Sequence, residues 1–185
     1  MHMKSLSMRV QGKIASKMSS KILAKQIVNG PTADIIENCF QIATIHLGEK
    51  KKAETWMKDL IKVVVKVALL GKNEQFTRQQ LLLVEEFQRK FELICKSSVA
   101  FYQVQNTYDG YFMEKLAKEA HTLLHMIVKN HLTESSIGKI DHVFSLFTDR
   151  QLMDDMFDPR SKFYPYLGDI VTSLGILIDN GTIGT

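Results

Sequence analysis

Apolar residues return along this chain every third or fourth position, the period of a helix buried on one side. Trp56, Leu60, Ile61, Val64 and Val67 share one face, as do Leu81, Val84, Phe87, Phe91, Ile94 and Ser98. Phe112, Leu116, Leu123, Ile127 and His131 repeat the pattern, followed by Ile137, Ile140, Phe144 and Phe147, then Leu167, Ile170, Leu174 and Leu177. Glycines punctuate it: Gly30, Gly48, Gly71, Gly110 and Gly138 are expected to stop helices. Thr77-x-x-Gln80 and Thr148-x-x-Gln151 fit capping boxes, in which a Thr oxygen takes an unpartnered backbone N–H. The one β-branched run, Val63-Val64-Val65, is flanked by Lys62 and Lys66 at helical spacing, which argues against a strand. The pattern predicts helices near 4–28, 32–47, 50–70, 77–102, 109–131, 136–148 and 163–180, with a short helical turn at 149–157. The fold class expected is an all-α bundle.

Length and composition narrow this further. The chain has 185 residues, 45% hydrophobic and 24% charged, about one domain and too apolar for disorder. No apolar run approaches the ~20 residues of a membrane-spanning helix. Met1-His2-Met3-Lys4 leads into no apolar segment, so no secretory leader is expected. Cys39 and Cys95 make no disulfide framework and read as buried free thiols of a reducing compartment.

Charge is unevenly distributed. Residues 1–72 hold 13 basic and 5 acidic side chains, and residues 73–185 hold 11 and 15, so +8 and −4 give the net +4. The first 28 residues carry no acid, and Lys13, Lys17, Lys21 and Lys25 form a four-residue stripe beside Leu6, Val10, Ile14, Met18 and Ile22. A helix with one apolar and one lysine face suits an anionic membrane surface, each lysine contributing ~1 kcal/mol. It equally suits a helix docked on its own bundle with solvated lysines. Nucleic acid fits poorly, because the segment has no aromatic residue for stacking and a single arginine, Arg9.

Catalytic signatures are missing. No phosphate-binding glycine loop and no nucleophile elbow occur. His121 and His125 stand one helical turn apart, a metal-compatible spacing, but Thr122 occupies the position where a zincin needs Glu and no third ligand is evident. Asp154, Asp155 and Asp158 lack the Gly and Glu of a calcium loop and read as a solvated helix end. The expectation is a protein that is not an enzyme, with no cofactor and no metal.

Two blocks carry a resemblance. The first is Asp59-Leu60-Ile61-Lys62 with Lys66-Val67-Ala68, Asn73 and Phe76; the second is His131-Leu132-Thr133, Ser136, Gly138-Lys139, Val143-Phe144 and Phe147-Thr148-Asp149. Together they resemble the tumour necrosis factor alpha-induced protein 8 family, also called the TIPE family, in register from about Leu6 to Asp179. The resemblance implies a basic amphipathic helix over 1–28 and a domain over 29–185. That domain would be a six-helix bundle, death-effector-like with reversed topology, around a central apolar cavity. It also implies a phosphoinositide-binding, lipid-transfer protein regulating cell death and inflammation.

Within that frame Lys72, Arg89 and Lys90 are the expected headgroup ligands, with Gln88 standing where the family has a second basic residue. Lys72 is expected on a loop after the Gly71 stop. Lys13, Lys17 and Lys21 retain the basic positions of the family's first helix and would dock on membrane. Ser135, Ile137 and Leu146 replace a usual Lys and two usual His residues. Leu60, Val64, Val67, Phe87, Phe91, Leu124 and Phe144 are the expected cavity lining. The partners would be a phospholipid or phosphoinositide, an anionic membrane surface and signalling proteins, without nucleic acid. The location would be cytoplasmic, with reversible association to the inner face of the plasma membrane. The alternative is a helical protein–protein adaptor in apoptosis signalling that takes no lipid.

Overall fold

The computed structural model describes residues 30–184, so the expected helix over 1–28 lies outside the described residues. The described residues form seven helices and no strand. They are α1 (Gly30–Leu47), α2 (Lys50–Lys72), α3 (Arg78–Gln103), α4 (Gly110–Val128), α5 (Glu134–Phe147), α6 (Arg150–Phe157) and α7 (Tyr164–Asp179). The resemblance implies six; the seventh is the short α6, placed by the periodicity as a turn.

Local chemistry sets most of the ends. Thr77 caps α3 through a complete capping box: its side chain accepts from Gln80 N–H, and Gln80 Oε1 accepts from Thr77 N–H at 2.9 Å. Thr133 and Asp109 cap α5 and α4 through their side-chain oxygens. The second expected capping box does not form. Asp149 is the N-cap of α6 and accepts from Leu152 N–H at 2.9 Å. Thr148 instead closes α5, its hydroxyl donating to Phe144 O at 2.7 Å.

The glycine readings divide. Gly48, at φ 68°, turns the chain out of α1. Gly71, Gly110 and Gly138 stop nothing and lie within α2, α4 and α5. Helix α2 ends at Lys72, and the left-handed residue beyond it is Glu74, at φ 50°. Gly110 is a packing position, because a Cβ there would meet Arg150 Nε and Asp154 Oδ1 of α6 at 2.5 Å.

Six helices pack side by side in a closed ring in the order α1, α2, α5, α4, α3, α7 and back to α1, while α6 bridges α4 and α7. The seam between α2 and α5 carries three polar contacts. Trp56 Nε1 donates to Val143 O at 3.2 Å, His142 Nδ1 lies 2.9 Å from Asp59 Oδ2, and Lys66 donates to Ser136 Oγ. Gln80, buried, ties the start of α3 to the end of α4 by donating to Ile127 O at 3.2 Å and meeting His131 Nε2 at 3.1 Å. The fully buried core lies on α1, the first half of α2, α4, α5 and α7; Trp56, Met57, Ile61, Ile127 and Ile140 are its largest members.

Candidate functional site

Burial is incomplete along one pair of helices. From Val64 to its end, α2 contains no buried residue. Of the 26 residues of α3 only Gln80, Cys95 and Ser98 are buried. Leu60, Val67 and Phe87 are half-buried, whereas Val64 and Phe91 are exposed, Phe91 by 48%. The rings of Phe87 and Phe91 stack at 6.4 Å. In the ring of helices α2 and α3 stand opposite each other, although only residues 73–77 join them. The other two expected lining residues lie on α4 and α5. Leu124, 4% exposed, is packed into the core, and Phe144 lies flat on the His121 ring at 4.6 Å.

The three expected headgroup residues do not converge. Lys72 is the exposed last residue of α2, a helical and not a loop position. Twelve residues of α3 separate Arg78 from Lys90, a rise of ~18 Å, which sets Lys90 far along α3 from the turn that Lys72 adjoins. Arg89 and Lys90 diverge around α3. Arg89 and Gln88 line a hollow of about 430 Å³ shared with Ile183 and Gly184, and Arg89 pairs with Glu86 at 2.7 Å. Lys90 lines a groove of about 700 Å³ between α3 and α4, shared with Tyr111, Lys115 and Leu123. There it pairs with Glu119 at 2.7 Å, and that hydrogen bond holds the ammonium's pKa above its ordinary value. The same bond, against partial desolvation, holds the Glu119 carboxyl below its own. Lys13, Lys17 and Lys21 lie outside the described residues.

Packing of α5 on α4 supplies what the sequence pattern lacks. Asp141 Oδ1 lies 2.9 Å from His121 Nε2 and 2.6 Å from His125 Nε2, so the histidine pair does have a third potential ligand. Desolvation opposes ionisation of Asp141, but the hydrogen bonds from His125 and His121 outweigh it and lower its pKa. No local signal marks Asp141, which is 16 residues from His125.

The remaining chemistry is quiet. Asp154 accepts from Tyr108 Oη at 2.9 Å and Arg150 Nε at 2.8 Å, and Asp158 pairs with Arg160, so these acids are locally satisfied and not simply solvated. Cys39 and Cys95 are free, and burial pushes both thiols up to about 12. No helix among the described residues is long and apolar enough to cross a membrane.

An all-α ring of helices defines the class, and comparison with known proteins gives the lineage. Residues 1–181 match the family described as "Tumor necrosis factor alpha-induced protein 8-like". The chain is 36% identical to the protein salivary glands marred of Drosophila melanogaster over 178 residues, 96% of this chain and 95% of that one. It is 35% identical over 176 residues to tumor necrosis factor alpha-induced protein 8-like protein 3 of Xenopus laevis, covering 95% and 87%. Human tumor necrosis factor alpha-induced protein 8 is 31% identical over 180 residues, covering 97% and 91%. The chain belongs to the tumor necrosis factor alpha-induced protein 8 family.

Proposed function

We propose that this protein is a non-enzymatic carrier of phospholipid, taking phosphoinositides from anionic membrane and acting in cell-death or inflammatory signalling. The observation that carries the reading is the opposition of α2 and α3 across the helix ring. Both helices carry apolar side chains that are incompletely buried: Leu60, Val67 and Phe87 are half-buried against the core, and Val64 and Phe91 are exposed. Pockets for apolar ligands are commonly built between bundle helices. Each acyl CH₂ buried there would contribute ~0.8 kcal/mol. Lys72 carries an exposed charge for phosphate at the end of α2, whereas Lys90 would have to exchange Glu119 for the headgroup. Residues 1–28, with the Lys13, Lys17 and Lys21 stripe, would bring the protein to the inner face of the plasma membrane as a peripheral, otherwise cytoplasmic protein.

A second reading rests on a different feature. The α3–α4 groove is flanked by Tyr111, 78% exposed, and by alternating acids and lysines, an edge that suits a signalling protein as an adaptor's partner.

Titration with a short-chain, soluble phosphoinositide separates the two. A carrier binds it, and Lys72→Glu lowers affinity ten- to hundred-fold, the ~1.5–3 kcal/mol of a charge-assisted contact. Glu119→Gln, which removes the nearer of Lys90's two carboxylate partners, Glu119 at 2.7 Å and Glu86 at 3.8 Å, raises affinity if Lys90 serves the headgroup. Absence of binding by the unaltered protein, with no phospholipid found by mass spectrometry of the native preparation, overturns the carrier and favours the adaptor.

A further inference from the structure

Among the described residues one group of His, Cys, Asp and Glu side chains is placed to hold a metal ion, and it lies away from the apolar faces of α2 and α3. His121 and His125, four residues apart on α4, share one face of that helix. Asp141 reaches them from α5, and the three ligand atoms lie within 4.8 Å of one another. We propose that His121, His125 and Asp141 form a binding site for a divalent transition-metal ion of the zinc type, a clasp between α4 and α5.

The geometry requires side-chain adjustment and no change of backbone register. In a tetrahedral site with bonds of ~2.0–2.1 Å, ligand atoms stand ~3.3 Å apart. Asp141 Oδ1 sits 2.9 and 2.6 Å from the two Nε2 atoms, so it must withdraw by roughly half an ångström for an ion to enter, within the play of a side-chain torsion. The imidazole ring centroids stand 4.9 Å apart, and the ligand atoms lie within 4.8 Å of one another, so the two Nε2 atoms close toward ~3.3 Å by side-chain rotation as an ion enters. The His121 plane is set by Phe144, which stacks on it with an interplanar angle of 10°. All three ligands stay partly open to solvent, with Asp141 the most exposed, so an ion has access and a fourth position is left for water.

The donor set chooses the class of metal. Two imidazole nitrogens and one carboxylate suit Zn²⁺, Co²⁺, Ni²⁺ or Cu²⁺, whereas Ca²⁺ and Mg²⁺ favour oxygen-only shells. The clasp joins neighbouring members of the helix ring, so an ion bound to the folded state raises stability by mass action.

The full chain, free of any histidine tag and stripped with chelator, is titrated with CoCl₂ while the visible ligand-field bands of four-coordinate cobalt are followed; ZnCl₂ is then added as competitor. One Co²⁺ per chain, displaced by Zn²⁺, is expected, together with a Zn²⁺-dependent rise in melting temperature. His125→Ala and Asp141→Asn are each expected to weaken binding at least ten-fold and to abolish that rise. Asp141→Asn keeps the side chain's shape, so it decides the matter should His125→Ala fail to fold. His142→Ala, which removes the neighbouring imidazole paired with Asp59, should leave the affinity unchanged. Absence of binding at millimolar Zn²⁺, or equal binding by the wild type and Asp141→Asn, overturns the site and leaves the cluster as a hydrogen-bonded link between helices.

Discussion

Helices α3 and α4 pack side by side, yet they are buried very differently. Eight of the 19 residues of α4 are buried, and seven of them are Gly, Ala, Met, Leu or Ile spaced along one stripe before Val128 closes the list. The longer α3 buries three of 26, and only Cys95 among them is apolar. The difference does not come from apolar content. Leu81, Leu82, Leu83, Val84, Phe87, Phe91 and Ile94 give α3 as many large apolar side chains as its neighbour. It comes from position. Helix α4 has α3, α5 and α6 against it, whereas the apolar side chains of α3 outnumber what α4 and α7 can cover. An amphipathic stripe therefore measures what a helix is able to bury, and its neighbours decide what it does bury.

Truncations should break the molecule along the same line. Trp56→Ala removes a ring that is 1% exposed, donates to Val143 O and meets Phe147 edge-on at 5.6 Å. Loss of ~3–5 kcal/mol is expected in denaturant unfolding, and Ile140→Ala should lose ~2–5 kcal/mol. Phe91→Ala and Leu82→Ala, at side chains 48% and 61% exposed, should cost under ~1 kcal/mol. Equal losses in both sets would erase the contrast between the packed and the open sides.

Gly110→Ala tests the α4–α6 contact. The new methyl would press on Arg150 Nε and Asp154 Oδ1, which are themselves paired at 2.8 Å. These are side-chain ends that can shift, so ~1–3 kcal/mol is expected; a neutral result would mean that α6 swings aside freely. Thr77→Ala removes one arm of the α3 capping box, with ~1 kcal/mol expected from thermal unfolding.

The smallest effect at neutral pH comes from the thiols. The folded pKa values of Cys39 and Cys95 are raised to about 12, above an unfolded value of ~8.5. Their contribution is fully present below that unfolded value and is lost as pH rises toward 12. Replacing both with Ala should leave a flatter stability profile above about pH 9, measured by urea unfolding at stepped pH. Alkylation of the native thiols at pH 8 should be slow beside the unfolded chain, because the thiolate is the reacting form.

Much of the fold was legible because helices are local. The expected 50–70 and 77–102 became Lys50–Lys72 and Arg78–Gln103, each within two residues at either end. Thr77 and Gln80 announced their capping box within four residues of sequence. Some failures were local, as where Asp149 and not Thr148 capped α6, and others arose where a second element intervened. Gly110 and Gly71 look alike as punctuation, but Gly110 makes room for α6, and neither bends the backbone into the left-handed region. The candidate headgroup residues were less legible, because adjacency of Arg89 and Lys90 in sequence sends them around α3 to different hollows.

By itself the sequence determined the helical class, the approximate span of each described helix, the family and the acid-free lysine stripe of residues 1–28. Each of these is written in spacings of a few residues, or in a likeness that runs along the chain. Tertiary structure alone decided that Asp141 would meet His121 and His125, that Glu119 would neutralise Lys90, and that the second half of α2 and most of α3 would stay incompletely buried. Those outcomes depend on which helices pack and in what rotation. Backbone hydrogen bonding within a helix extends only four residues, so it carries no information about a partner dozens of residues away.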